Sequence, residues 1–240
     1  MLRGLWGVLV FVVATFFAGL GAVVGEFLLP NRDLTFHLGQ LWSRLHLWAL
    51  GIRVEYEGSP PPAEALPCVF VANHQSIVDM WAVAIRLPTS TRFVAKKSLF
   101  WIPIFGWAIR AGGFIPIDRS NKDKAIGSLA LAGEALERGN SVILFAEGTR
   151  SRDGRLKPFK KGPFLLALHA KVPVVPIAIS GAGAVVRPGS MLVRPGTVKV
   201  TFLPPIDVSP HLPSNWEGLS AEARKRIVAR LAPDELPLDA

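Results

Sequence analysis

The chain has 240 residues, half of them hydrophobic, and a mean hydropathy of +0.36; that length holds one good-sized domain with an appendage and excludes two full enzyme domains. Lys and Arg number 27 against 18 Asp and Glu, a net charge of +9, which points to anionic partners. With no Lys/Arg arm or zinc-finger spacing, nucleic acid gives way to anionic lipid or a phosphorylated small molecule, and the lone Cys68 excludes an internal disulfide and metal-thiolate sites.

Between Arg3 and Glu26 lie 22 residues without formal charge, GLWGVLVFVVATFFAGLGAVVG, about enough to cross a bilayer core. After Pro30-Asn31-Arg32 comes DLTFHLGQLWSRLHLWAL, with Asp33 as a plausible N-cap and Leu34, Leu38, Leu41, Leu45 and Trp48 at helical spacing. Either a spanning helix precedes a surface helix, or the two form a hairpin dipping into one leaflet. Residues 1–50 are therefore expected to be a membrane anchor, and residues 51–240 a separate domain.

From Gly51 short apolar runs (IRVEYEG, CVFVA, TRFVA, GGFIPI, SVILFA, VPVVPIAIS, TVKVTFLP) alternate with helical stretches near Ile77–Arg86, Asn121–Arg138 and Lys161–Ala170. Continuously apolar runs suit strands covered on both faces. The expected fold class is α/β: a mostly parallel sheet flanked by helices, with an N-terminal membrane-associated helical segment. A last short amphipathic helix near Ser220–Leu231 precedes a polar tail.

Four stretches end strands with chemistry. In FVANHQSIVDMW, His74 ends a strand and Asp79 follows five residues on; mid-helix, the two side chains would stand about 140° apart. They meet only if His74 precedes the helix and Asp79 reaches back from its first turns, with Asn73 or Ser76 as cap. An Asp on one ring nitrogen leaves the other to take a proton, which is a general base; a capped core histidine explains the same residues. In LFAEGTRSRDGRLKPFKKG, Glu147, Gly148, Thr149 and Arg150 follow a strand, and five more cations lie in residues 152–161. Gly148 permits close backbone approach, and Arg150 offers a fork for phosphate; a solvated basic loop is the bland alternative. GGFIPIDR ends in Asp118-Arg119, and VAKKSLFWIPIFGW carries Lys96 before an apolar run too short and broken to span a bilayer. That run is core, an interface contact or an acyl-chain wall, with core the first choice. GxSxG, a Walker A loop and HExxH are absent, and the five scattered His make no metal set.

In this order, NHQSIVD, GGFIPIDR, FAEGTRS and VPVVPIAI resemble the four motifs of the glycerophospholipid acyltransferases, above all the bacterial 1-acyl-sn-glycerol-3-phosphate (lysophosphatidic acid) acyltransferases. One departure is Ala146, where the third motif usually has Pro. The resemblance implies acyl transfer from a thioester, acyl-coenzyme A or acyl carrier protein, to the sn-2 hydroxyl of lysophosphatidic acid, giving phosphatidic acid. It implies His74 as base and Asp79 as its orienter. Lys96, Arg119, Glu147, Gly148, Thr149 and Arg150 would bind the acceptor, with no cofactor and no metal. It implies a bacterial inner-membrane location, and because most basic residues lie after the first apolar run, the catalytic domain is expected to face the cytoplasm. The alternatives are another lyso-lipid acceptor, a membrane thioesterase or lysolipid hydrolase, or a non-catalytic lipid-binding protein.

Overall fold

Seven strands build the sheet of the computed structural model, which describes residues 2–28, 32–118, 122–190 and 192–237. In chain order the elements are α1 (Leu2–Leu28), α2 (Arg32–Leu50), β1 (Ile52–Glu57), β2 (Val69–Ala72), α3 (Val78–Ala84), β3 (Thr91–Lys96), α4 (Phe105–Ala111), β4 (Ile115–Ile117), α5 (Lys122–Glu137), β5 (Ser141–Phe145), α6 (Gly162–Ala170), β6 (Val174–Ser180), α7 (Ala182–Val185), β7 (Gly196–Phe202) and α8 (Trp216–Val228). Each apolar run read from the sequence supplies one strand.

The sheet order is β1-β7-β6-β2-β5-β3-β4. Strands β6, β2, β5, β3 and β4 run parallel, while β7 meets β6 antiparallel and β1 parallels β7. In β2 the side chains alternate: Phe70 and Ala72 enter a core with α2 and α3, and Val69 and Val71 enter the opposite one with α5, α6 and α8. Both faces are covered, so an alternating strand still reads as an unbroken apolar run.

Helices α1 and α2 form an antiparallel hairpin: Gly7 sits against Leu50, Gly25 against Leu34, and Trp42 Nε1 donates to Thr15 Oγ1 at 3.0 Å. A Cβ on Gly19 would lie 2.6 Å from Ile104 Cγ2, so glycine is what lets α1 close on the turn before α4. Helix α2 docks on α3, where Gln40 Nε2 donates to the carbonyls of Ala84, Ile85 and Leu87, satisfying the end of a short helix. Phe36, Leu47 and Leu50 of α2 join the sheet core.

Helix α2 is amphipathic, as its spacing suggests: Leu41, Leu45 and Trp48 are exposed, at 51, 40 and 73 %, and Leu34 and Leu38 lie against Gly25 and Gly21 of α1, while Phe36, Leu47 and Leu50 are buried with Thr35, Ser43 and His46. One expectation needs correction. Asp33 stands in the first turn of α2 instead of capping it. The segment around Lys96 to Trp107 fits more than one of its readings: Phe100 is buried, but Trp101, Ile102 and Trp107 are exposed. Periodicity reports that a helix has two faces, and it does not report which one meets protein.

Candidate active site

The parallel strands deliver their carboxyl ends to one edge, which is where ligands bind in open α/β sheets. His74 follows β2; Glu147 follows the neighbouring β5; Lys96 ends β3, beside β5. Lys96 is exposed at that edge, opposite Ile117 of β4. Arg119 lies outside the described residues.

Asn73 leaves β2 and bonds both ways to the next strand: its Nδ2 donates to Ile179 O at 2.7 Å and its Oδ1 accepts from Ile179 N at 2.8 Å. It extends the sheet as an amide bridge and does not cap α3. Ser76 is fully buried, and its Oγ donates to Val186 O at 2.6 Å; only a long 3.4 Å contact from Val78 N resembles a cap.

Asp79, in the first turn of α3, reaches back. Its Oδ2 lies 2.8 Å from His74 Nδ1 and accepts from Gln75 N at 2.6 Å and Ser76 N at 2.8 Å. The five-residue spacing works because residues 73–77 form a turn ahead of the helix. Asp79 is completely buried, and its Oδ1 has no hydrogen-bond partner. An ionised Asp79 only accepts, so Nδ1 carries the proton and the Nε2 lone pair is free to act as a base. The ring stacks on Phe145, with centroids 4.0 Å apart and planes 19° apart. Asp79 fixes the ring edge and Phe145 its face.

Glu147 sits differently from a ligand-binding group. It is buried, and both its oxygens hold backbone: Oε1 accepts from His74 N at 2.6 Å and Oε2 from Lys157 N at 2.9 Å. Burial pushes its carboxyl up to about 7, against those two N–H donors and with Asp79 nearby adding to the rise. Gly148 takes φ +74°, the left-handed turn glycine accepts without strain, and turns the chain outward. Thr149 and Arg150 are exposed. Ser151 N then donates to His74 O at 2.9 Å, which holds Thr149 and Arg150 beside the histidine. Lys157 Nζ braces the loop on Arg150 O at 3.0 Å.

Beside this edge opens an apolar cavity of about 440 Å3 between the hairpin, α3 and α4. Phe11, Phe16, Trp42, Met80, Ile102 and Phe105 are among its walls. Ile77, between His74 and Asp79 in the chain, also lines it. The site thus joins a proton acceptor, cationic side chains on a clamped loop and an adjoining greasy chamber. Sequence reasoning missed Phe145, although strand alternation puts it on the same face as Ile143. The bridging role of Asn73 has no local signal, because Ile179 is 106 residues away.

Residues 53–180, which contain the whole edge, match the acyltransferase family model. The chain belongs to the acyltransferase family. Among similar acyltransferases, the 1-acyl-sn-glycerol-3-phosphate acyltransferase of Escherichia coli is 36 % identical over 205 residues, covering 85 % of this chain and 81 % of the relative. That of Limnanthes douglasii is 39 % identical over 185 residues, 75 % of this chain and 65 % of the relative. A chloroplastic one from Brassica napus is 36 % identical over 199 residues, 82 % of this chain. The chain spans only 56 and 65 % of the lengths of these two plant acyltransferases. The crystal structure of the 1-acyl-sn-glycerophosphate acyltransferase from Thermotoga maritima superposes with a TM-score of 0.77 at 27 % identity, covering 96 % of this chain and 97 % of that one.

Proposed function

We propose that this acyltransferase moves a fatty acyl group from an acyl thioester, of coenzyme A or acyl carrier protein, to the sn-2 hydroxyl of 1-acyl-sn-glycerol 3-phosphate, giving phosphatidic acid. The observation that carries the reading is the His74–Asp79 pair, 2.8 Å apart at the sheet edge beside the cationic loop and the apolar cavity. The bacterial and plant relatives named above support the acceptor. Nε2 of His74 takes the sn-2 hydroxyl proton as the oxygen attacks the thioester carbonyl. The tetrahedral oxyanion collapses, the C–S bond breaks, and the thiolate leaves with the proton returned from Nε2. The anionic 3-phosphate is assigned to Arg150, with Thr149, Gly148, Lys96 and Arg119 as further contacts. Glu147, whose oxygens are committed to backbone N–H groups, shapes this site from behind. The cavity takes an acyl chain.

Membrane contact belongs to the same proposal. The segment Leu5–Leu28 is long and apolar enough to cross a bilayer, yet α1 packs antiparallel on α2 and also against α4. That packing favours a hairpin dipping into one leaflet over a spanning helix. The hairpin exposes Phe17, Phe27, Leu41 and Trp48, and Trp101 and Trp107 are exposed as well, residue types suited to acyl chains and the interface. Residues 1–50 are then the lipid-contacting unit and 51–240 the acyltransferase unit, on the cytoplasmic side of a bacterial inner membrane. Protease protection of an N-terminal tag in vesicles tests the topology: a tag on the catalytic-domain side agrees, and one on the far side refutes the hairpin. A donor-by-acceptor activity matrix tests the chemistry. Diacyl product from lysophosphatidate is expected; release of free fatty acid instead would make the protein a hydrolase.

A further inference from the structure

Beyond α8 the sequence reads as a polar tail, APDELPLDA, but the chain folds back in one 3-10 turn, Pro233–Glu235, and buries Glu235 to 5 % exposure. Its Oε1 accepts from Gly181 N at 2.7 Å; its Oε2 accepts from Ser180 Oγ at 2.5 Å and Ala232 N at 3.0 Å. Its backbone carbonyl accepts from Leu156 N at 2.9 Å, and the next carbonyl, of Leu236, from Arg155 Nη1 at 3.1 Å. One residue therefore grips both the end of β6 and the basic loop after β5.

These bonds close a ring around the site. Asn73 holds Ile179; Ser180 and Gly181 hold Glu235; Glu235 holds Leu156; Lys157 holds Glu147; Glu147 holds the N–H of His74. Leu156 and Lys157 are adjacent, so two buried glutamates take consecutive N–H groups of the loop. Burying a carboxylate costs several kcal/mol unless donors satisfy it, and an apolar plug would fill the space without that cost. What the carboxylate adds is direction: it matches the N–H of Gly181 and the Ser180 hydroxyl at a backbone turn of φ +87°, where a Cβ would lie 2.6 Å from Thr197 O.

We propose that Glu235 is a positioning residue that sets the Arg150–Lys161 loop against β6 and so fixes the cationic grip on the acceptor's phosphate. This rests on the proposed reading of the site as one for a phosphomonoester acceptor. The test compares full-length wild type, Glu235→Ala and Glu235→Gln in vesicles. Glu235→Ala is expected to raise the KM for lysophosphatidate about tenfold, the scale of a lost charge-assisted hydrogen bond, with kcat and the donor KM within about twofold. Glu235→Gln, which keeps one acceptor for Gly181 N and can donate to Ser180 but leaves Ala232 N without its acceptor, should recover part of that loss. A second readout needs no turnover: trypsin should cut after Arg150, Arg152 and Arg155 faster in Glu235→Ala, and glycerol 3-phosphate should protect wild type more than the variant. Equal rises in both KM values, or a lowered Tm with unchanged loop cleavage, would overturn the proposal. If wild type shows no acyl transfer while Glu235→Ala still opens the loop to trypsin, the reading of the activity fails and the positioning role stands. Wild-type turnover with unchanged KM and cleavage in Glu235→Ala would sink the positioning role alone.

Discussion

The sheet edge and the N-terminal hairpin use apolar residues in opposite ways. In β2 and β5 every apolar side chain points into protein, and the polar groups at the strand ends are clamped by hydrogen bonds. In α2 Leu41, Leu45 and Trp48 point out, and the buried face mixes Thr35, Ser43 and His46 with Phe36, Leu47 and Leu50. Burying apolar surface is favourable against water; a helix that turns Leu41, Leu45 and Trp48 outward is suited to a different solvent. The contrast teaches that hydrophobicity locates an element's boundary with its surroundings, and the nature of those surroundings decides which face is inside.

The sharpest way to break this comparison is to disarm the edge while leaving the hairpin intact. Replacing His74 with Ala should lower kcat by about 10³-fold or more, the scale of a lost general base, with vesicle binding and the far-ultraviolet spectrum unchanged. Turnover near wild type would refute the proposed mechanism. Asp79→Asn should cost somewhat less, about 10²-fold in kcat, because the ring can remain in place on Phe145 while Nδ1 loses the negative charge that stabilises the protonated ring.

The converse experiment disarms the hairpin. Leu41→Glu with Trp48→Glu should weaken partition into phosphatidylglycerol-containing vesicles by about 10²-fold or more, since each buried apolar side chain contributes about 1.5–3 kcal/mol. Thermal unfolding in detergent should barely move, because both residues face outward. A large loss of Tm would place that face against protein and reverse the comparison.

Smaller effects sharpen the edge itself. Arg150→Ala is expected to raise the lysophosphatidate KM by roughly tenfold, given about 1.5–3 kcal/mol for a hydrogen bond to a charged group, and to relieve competition by glycerol 3-phosphate; an unchanged KM would remove Arg150 from the grip.

The smallest effect is a pH dependence. Burial raises the Glu147 carboxyl to about 7 from its ordinary 4.5, so the folded state holds a proton that the unfolded chain releases earlier. Its contribution to stability is therefore complete below about pH 4.5 and lost as pH rises through about 7. Thermal unfolding at pH 5 and pH 8 should show a steeper decline for wild type than for Glu147→Gln. Parallel slopes would mean that the backbone N–H donors outweigh burial.

Much of this was legible in the chain. Apolar runs give seven strands because a two-sided sheet has no alternative composition, and the strand-end positions of His74, Lys96 and Glu147 follow from local order. The spacing of His74 and Asp79 required a turn before the helix, which residues 73–77 supply. Less legible was everything that depends on contacts distant in sequence. Asn73 acts on Ile179, and Glu235 on Ser180, Gly181 and Leu156. Tertiary packing alone decided that Glu147 turns both oxygens onto backbone, that Leu41, Leu45 and Trp48 face out and that Glu235 of the polar tail is buried. The physical reason is the same in each case. A residue's composition fixes what it can bond, and only the strand order β1-β7-β6-β2-β5-β3-β4 determines which partners are there to bond.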